Sequence, residues 1–97
     1  MSDPRGGLAE RREVVYTGRV QGVGFRYGTQ QIAQRFSVSG YVQNRPDGSV
    51  HLVAEGSAQE LDGFLAALAE HWGDHIRHAA VDRRPATGTF HNFQIRH

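Results

Sequence analysis

Three kinds of group in this chain can act together on an anion: the backbone amides of a short glycine loop, one arginine and one asparagine. The loop reads Gly18-Arg-Val-Gln-Gly-Val-Gly-Phe-Arg26. Glycines at 22 and 24 let the backbone turn tightly and approach a ligand with no Cβ in the way. Successive amides in such a turn form a concave nest for an anion. Arg26 adds a permanently charged, forked donor shaped for phosphate oxygens. It also stands at the start of a predicted helix, where a cation opposes the helix dipole unless an anion offsets it. The amides of Gln21, Gly22, Val23, Gly24, Phe25 and Arg26 are therefore the expected phosphate-binding loop. The loop is not a P-loop, because no Gly-Lys-Ser/Thr follows it. Nor is it a dinucleotide fingerprint, since Tyr27 occupies the position where that pattern wants glycine.

Asn44 supplies the third kind of group. A carboxamide is not basic near neutrality, but it donates and accepts hydrogen bonds at once, which suits it to hold and aim a water molecule. The amides and the guanidinium would stabilise charge on the equatorial oxygens of a phosphoryl group. No histidine, carboxylate or metal has to join the cluster. The chemistry it suits is thus a loose phosphoryl transfer to water with a leaving group that needs no protonation. A carboxylate is such a leaving group, so an acyl phosphate fits; an alkyl phosphate, whose alkoxide needs an acid, fits poorly. With no protein base in view, a phosphoryl oxygen of the substrate is the expected acceptor of the water's proton. Asn44 also has a plainer reading, as a turn-forming residue ahead of Pro46, and the pattern leaves both open.

The elements that must position these groups are legible in the spacing of apolar residues. Val14 to Val20 alternates as a first strand, with Val14, Tyr16, Gly18 and Val20 on one side. Phe25, Thr29, Ile32, Ala33 and Phe36 recur at helical spacing, predicting a helix from about Arg26 to Phe36. Gly40 to Arg45 reads as a second strand, Pro46-Asp47-Gly48 as a tight turn, and Ser49 to Glu55 as a third strand. Ser57-Ala-Gln-Glu60 has the form of a capping box, in which the serine caps an amide and the glutamate reaches back. Leu61, Phe64, Leu65, Leu68 and Trp72 follow as one apolar stripe, and Gly73 is expected to end the helix. Ile76 to Arg83 is a predicted strand, Pro85 to Thr89 a loop, and Phe90 to Arg96 a last strand with Phe93 and Ile95 inward. Residues 1–13, polar and aperiodic, read as a flexible N-terminal tail, and residues 14–97 as the folded domain.

The resulting order is β-α-β-β-α-β plus one short extra strand. It predicts an α+β fold, the ferredoxin-like sandwich with two helices on one face of an antiparallel sheet. The first crossover makes strands one and two parallel, so their C-terminal ends share one edge of the sheet. The glycine loop leaves the first of these ends and Asn44 lies at the second.

Composition sets the bounds. The 97 residues suffice for one domain with one modest core, and 38% hydrophobic with 22% charged residues is the balance of a globular chain. A net charge of +1 gives no broad basic surface for nucleic acid or membrane, so any anion site must be local. An RNA-binding domain of the same architecture would need a glycine-aromatic strand motif that is missing here. There is no cysteine, which removes disulfides, thiolate catalysis and cysteine-based metal clusters. The N-terminus lacks the apolar core of a secretory signal, and the longest apolar stretch, Phe64 to Ala69, is too short to span a bilayer. A soluble, monomeric, cytoplasmic protein that binds neither nucleic acid nor membrane is the expectation. His71, His75 and His78 have spacing that invites a metal, but Gly73 interrupts the helix between them and no His-Glu-x-x-His occurs; they read as exposed histidines near a helix C-terminus.

Val20-Gln-Gly-Val-Gly-Phe-Arg26, taken with Gly40-Tyr-Val-Gln-Asn44 and Asp47-Gly-Ser-Val50, resembles the signature of the acylphosphatase family. Ala54-Glu-Gly56 and Phe93-Gln-Ile-Arg96 are similar to that family's later segments, so the resemblance spans roughly residues 14–97. Position 41 carries tyrosine where many members have tryptophan. The resemblance implies hydrolysis of the carboxyl–phosphate bond of acyl phosphates to carboxylate and inorganic phosphate, with no metal and no other cofactor. It also implies that Arg26 binds the phosphate, that Asn44 positions the water and that residues 21–26 form the cradle. A module that binds phosphate or an acyl phosphate without turnover is the alternative the sequence leaves standing.

Overall fold

Arg12, Val14 and Tyr16 turn to one side of the first strand and all three are buried, which defines the face of the sheet that the helices cover. The computed structural model describes residues 9–97. Its elements run β1 (Glu10–Gly18), α1 (Phe25–Ala33), β2 (Ser39–Asn44), β3 (Val50–Gly56), α2 (Ala58–Trp72), β4 (Ile76–Pro85) and β5 (Phe93–Arg96). The strands form one sheet in the order β4-β1-β3-β2-β5. The four strands of the βαββαβ unit pair antiparallel, as expected, and the short fifth strand adds a parallel edge against β2.

Phe25, Ile32 and Ala33 of α1 and Leu61, Phe64, Leu68 and Trp72 of α2 pack with Val14, Tyr16, Val42, Leu52 and Phe93 in a single core. Each large side chain taken fully out of water there contributes about 1.5–3 kcal/mol. The predicted stripe of α2 is this buried face, with Leu65 at its margin. Ser57 caps α2, its Oγ accepting from the Glu60 amide at 3.2 Å. Glu60 does not reach back to complete the box. Its Oε1 accepts from the Ser37 amide at 2.7 Å, so it satisfies a donor in the connection from α1 to β2 instead. Gly73 stays right-handed at φ −44°. The helix closes through short turns, the His75 amide donating to Trp72 O at 2.7 Å and the Ile76 amide to Gly73 O at 3.3 Å.

Three boundaries differ from the sequence reading by three residues or more. Residues 1–8 of the predicted tail lie outside the described residues, but Glu10–Glu13 belong to β1 and are not tail. Their charged side chains are accommodated by pairing: buried Arg12 meets Asp62 of α2 at 2.8 Å and Glu10 at 3.0 Å, tying β1 to α2. α1 ends at Ala33 because the amides of Gln34, Arg35 and Phe36 bond three residues back rather than four; the Phe36 ring still packs on Phe64 at 6.0 Å between centroids. β5 begins at Phe93 rather than Phe90. Phe90 lies against Tyr41, ring to ring at 5.8 Å, beneath the Arg11 guanidinium.

Between β4 and β5 the chain passes from one edge of the sheet to the other. Buried Glu55 holds this crossing, accepting from the Thr87 amide at 2.9 Å, the Thr87 hydroxyl at 2.8 Å and the Gly88 amide at 3.0 Å. At the opposite end of the sheet, Val50 stands in register with both Tyr16 and Asn44. The ends of β1 and β2 therefore meet across one residue. Parallel pairing then sets Arg96 of β5 beside Gln43, so a third strand terminus arrives at the same edge. No described helix is long and apolar enough to cross a membrane.

Candidate active site

The chain leaves β1 at Gly18 and makes its tight turn with Gly22 at φ +77° and Gly24 at φ +81°. Both values lie in the left-handed region, which glycine adopts at no steric cost. Gly24 is the N-cap of α1, and the first helical bond runs from the Gly28 amide to Gly24 O at 2.9 Å. No side chain caps this helix and no acidic residue sits in its first turn. Its leading amides are the orphan donors that any helix start leaves, here gathered behind a loop that faces a cavity. Phe25 anchors the turn from below: its buried ring lies 5.3 Å from Tyr16 and 5.0 Å from Trp72.

The cavity has a volume of about 200 Å³. Gly22, Gly24, Phe25 and Arg26 form one side, Asn44 another, and Val20, Tyr27, Ile95 and His97 complete the wall. The lining side chains include a permanent cation and a histidine and no Asp or Glu, a balance that favours an anion. Arg26 is fixed from β5: its Nη1 donates to Arg96 O at 2.9 Å and lies 3.3 Å from His97 Nδ1. That leaves the Nε–Nη2 edge of the fork for a ligand.

Asn44 projects from the last position of β2. Its Oδ1 is buried and has no hydrogen-bond partner among the described residues. A buried acceptor left unmatched costs about 1–3 kcal/mol, and such groups recur where a ligand or ordered water completes the bond. A turn-forming role would have the carboxamide bonded to its own hairpin; the turn is instead made by Asp47, whose Oδ1 accepts from the Ser49 amide and hydroxyl.

The structure thus gathers four of the six loop residues and Asn44 on one cavity. Gln21 and Val23 are not in its wall. The Val23 side chain is exposed, and the Gln21 carboxamide turns toward the β2–β3 hairpin. Tyr27, Ile95 and His97 are lining residues that the sequence reading did not single out. The spacing predicts Ile95 inward on its strand, but nothing in it indicates that residues so late in the chain return to Arg26; only the parallel β2–β5 pairing does so. His71 and His75 flank Trp72 with edge-on rings at 4.7 and 5.5 Å, which is a packing role. Among the described residues no three His, Cys, Asp or Glu side chains converge.

Comparison with known proteins agrees with this geometry. The acylphosphatase family model matches residues 12–95. The acylphosphatase of Salinibacter ruber is 40% identical over 93 residues, covering 93% of this chain and 96% of that protein. The acylphosphatase of Lactobacillus johnsonii is 41% identical over 81 residues, covering 81% and 89%. In three dimensions the crystal structure of acylphosphatase from Bacillus subtilis superposes with a TM-score of 0.82 at 31% identity, covering 91% of this chain and 99% of that one. A glycine loop, an arginine and an asparagine brought to one sheet edge in this fold, together with these matches over nearly the whole chain, establish that the protein belongs to the acylphosphatase family.

Proposed function

We propose that this protein hydrolyses acyl phosphates, and that the loop amides, Arg26 and Asn44 carry the reaction. The phosphoryl group would sit on the amides at the start of α1, its charge matched by the helix N-terminus and by the free edge of the Arg26 fork. Fixed donors aimed at the equatorial oxygens stabilise the charge that redistributes in a loose transition state. Asn44 would hold the attacking water in line through its otherwise unpaired Oδ1. Bond-making runs from the water oxygen to phosphorus while the bond from phosphorus to the acyl oxygen breaks. The products are a carboxylate and dihydrogen phosphate, both protons of the water ending on phosphoryl oxygens. A carboxylate leaves as an anion without help, so no protein acid is assigned, and no step is assigned to a metal or other cofactor.

The observation that carries this reading is the meeting of Asn44, Arg26 and the glycine loop on one small cavity, with Asn44 Oδ1 buried and unpaired among the described residues. Hydrolysis of benzoyl phosphate with and without excess EDTA tests it; the rate is expected to be unchanged by the chelator. Arg26→Ala is expected to lower kcat/KM at least about a hundredfold, comparable to losing an oxyanion donor. Arg26→Lys should restore little of that, because a point charge does not replace the fork. Asn44→Ala should abolish turnover while inorganic phosphate inhibits nearly as before. Equal loss of phosphate binding in Asn44→Ala and Arg26→Ala would overturn the water-aiming role, and phosphate binding by wild type without turnover would make the protein a sensor.

The same proposal extends to a cytoplasmic monomer whose partners are the substrate and phosphate, without nucleic acid or membrane. The net charge of +1 supports the last point. Light scattering on the eluting peak of a sizing column tests the monomer.

A further inference from the structure

Gln21 belongs to the cradle loop by sequence, yet its side chain serves another purpose. Its Nε2 donates to Arg45 O at 2.8 Å and to Ser49 O at 2.8 Å. Both acceptors are carbonyls, so the amide orientation is forced: only the NH2 group can face them. The two carbonyls stand on opposite arms of the β2–β3 hairpin, which the Arg45 amide closes by donating to Ser49 O at 2.9 Å. Arg45 directly follows Asn44. One planar carboxamide therefore spans the two halves of the site, with the phosphate cradle on its own backbone and the asparagine one residue from the carbonyl it grips.

We propose that Gln21 is a positioning residue that sets the distance and angle between the cradle and the Asn44 carboxamide. The inference rests on the catalytic roles given above to the loop amides and Asn44. The loop has no other side-chain hydrogen bond to this hairpin among the described residues, so the clasp is the side-chain tie that fixes the loop against the hairpin, beyond the β1–β3–β2 backbone pairing. In-line attack needs the water within about 3–3.5 Å of phosphorus, and a displacement of about 1 Å costs roughly a hundredfold. Releasing the clasp should therefore misplace the water without emptying the cradle. The loss belongs to kcat, while phosphate affinity stays.

The test is Gln21→Met, which keeps length and removes both donors, beside Gln21→Glu, which also sets a carboxylate against two carbonyl oxygens. Each is assayed with benzoyl phosphate, with the inhibition constant of inorganic phosphate and the urea midpoint measured in parallel. The expected result for Gln21→Met is a fall in kcat of at least about tenfold, with phosphate inhibition changed less than about twofold. For Gln21→Glu the deficit relative to wild type should shrink from neutral pH to mildly acid pH, because a protonated carboxyl regains one donor. Gln21→Met should show no such recovery. An unchanged kcat in folded Gln21→Met overturns the proposal, as does a loss of phosphate affinity equal to the loss in kcat. If Gln21→Met does not fold, the pH recovery of Gln21→Glu decides alone, and its absence overturns the proposal. Should Asn44→Ala itself retain full kcat, the fault lies with the role of Asn44 and not with the clasp.

Discussion

At the scale of single residues, two glycines near the cavity separate geometry from packing. At Gly24 a Cβ would meet nothing within 4 Å, but φ is +81°. Gly24→Ala is therefore costly only through its backbone, by about 1–2 kcal/mol. The chain can relieve that strain by rotating the amides that begin α1, so the expected result is a raised KM and weaker phosphate inhibition with a modest stability loss. Gly28 has ordinary helical φ, and its Cβ would lie 2.6 Å from Trp72 Cζ2. Trp72 packs against Phe25 at 5.0 Å between centroids, the rings tilted by 35°. Gly28→Ala should thus destabilise by about 1–3 kcal/mol, the usual cost of overpacking, as read from urea denaturation. A larger stability loss in Gly24→Ala than in Gly28→Ala would show that both assignments are reversed. In the sequence, the loop glycines 22 and 24, Arg26 and Asn44 were legible from residue type and order. His97 beside Arg26 was not, because no local pattern marks a contact between residues so far apart in sequence.

Among the elements, those whose periodicity matches their burial are legible in the sequence, and the differences elsewhere have physical causes. The stripe of α2 and the Pro46-Asp47-Gly48 turn are local signals, so they survive without tertiary information. The first four residues of β1 are not legible as strand because Glu10, Arg11, Arg12 and Glu13 look like a solvated run. In the fold, Arg12 is buried through ion pairs whose partner Asp62 lies on α2. Ser57 and Glu60 show the same limit. Their spacing fits a reciprocal cap, yet the Glu60 carboxylate is taken by Ser37, which no local rule identifies. The distinction is measurable. Ser57→Ala should cost about 1 kcal/mol, and Glu60→Ala should cost a similar amount by releasing the α1–β2 connection. Because the two side chains serve different donors, their effects should add within about 0.5 kcal/mol in the double variant. A coupling well above that would restore the reciprocal cap.

Across the whole molecule, the crossing that Glu55 holds at the far end of the sheet leads from β4 to β5, the strand that borders the site. Burial alone would raise the pKa of this carboxyl. The Thr87 and Gly88 amides, the Thr87 hydroxyl and Arg11 outweigh that and hold it below the ordinary 4.5. His51, half covered on the outer face, is held below its ordinary 6.5 first by burial and then by Arg45, with Glu13 opposing. For both groups the unfolded chain takes up the proton at higher pH than the folded one. Their contributions are therefore complete above the unfolded values and are lost as pH falls through the folded ones. Unfolding free energy should begin to decline below about pH 6.5 through His51 and fall further below about 4.5 through Glu55. Glu55→Gln should lose about 1.5–3 kcal/mol near neutrality, the range for hydrogen bonds to a charged group. Its deficit relative to wild type should narrow in acid, where the native carboxyl is protonated too. The crossing also delivers β5, whose Arg96 carbonyl holds Arg26 at 2.9 Å. Loosening it should reach the cavity as a raised KM for acyl phosphate, measured near neutrality where Glu55→Gln is still folded. A deficit that stays constant with pH, or an unchanged KM, would mean that the crossing and the site are mechanically independent.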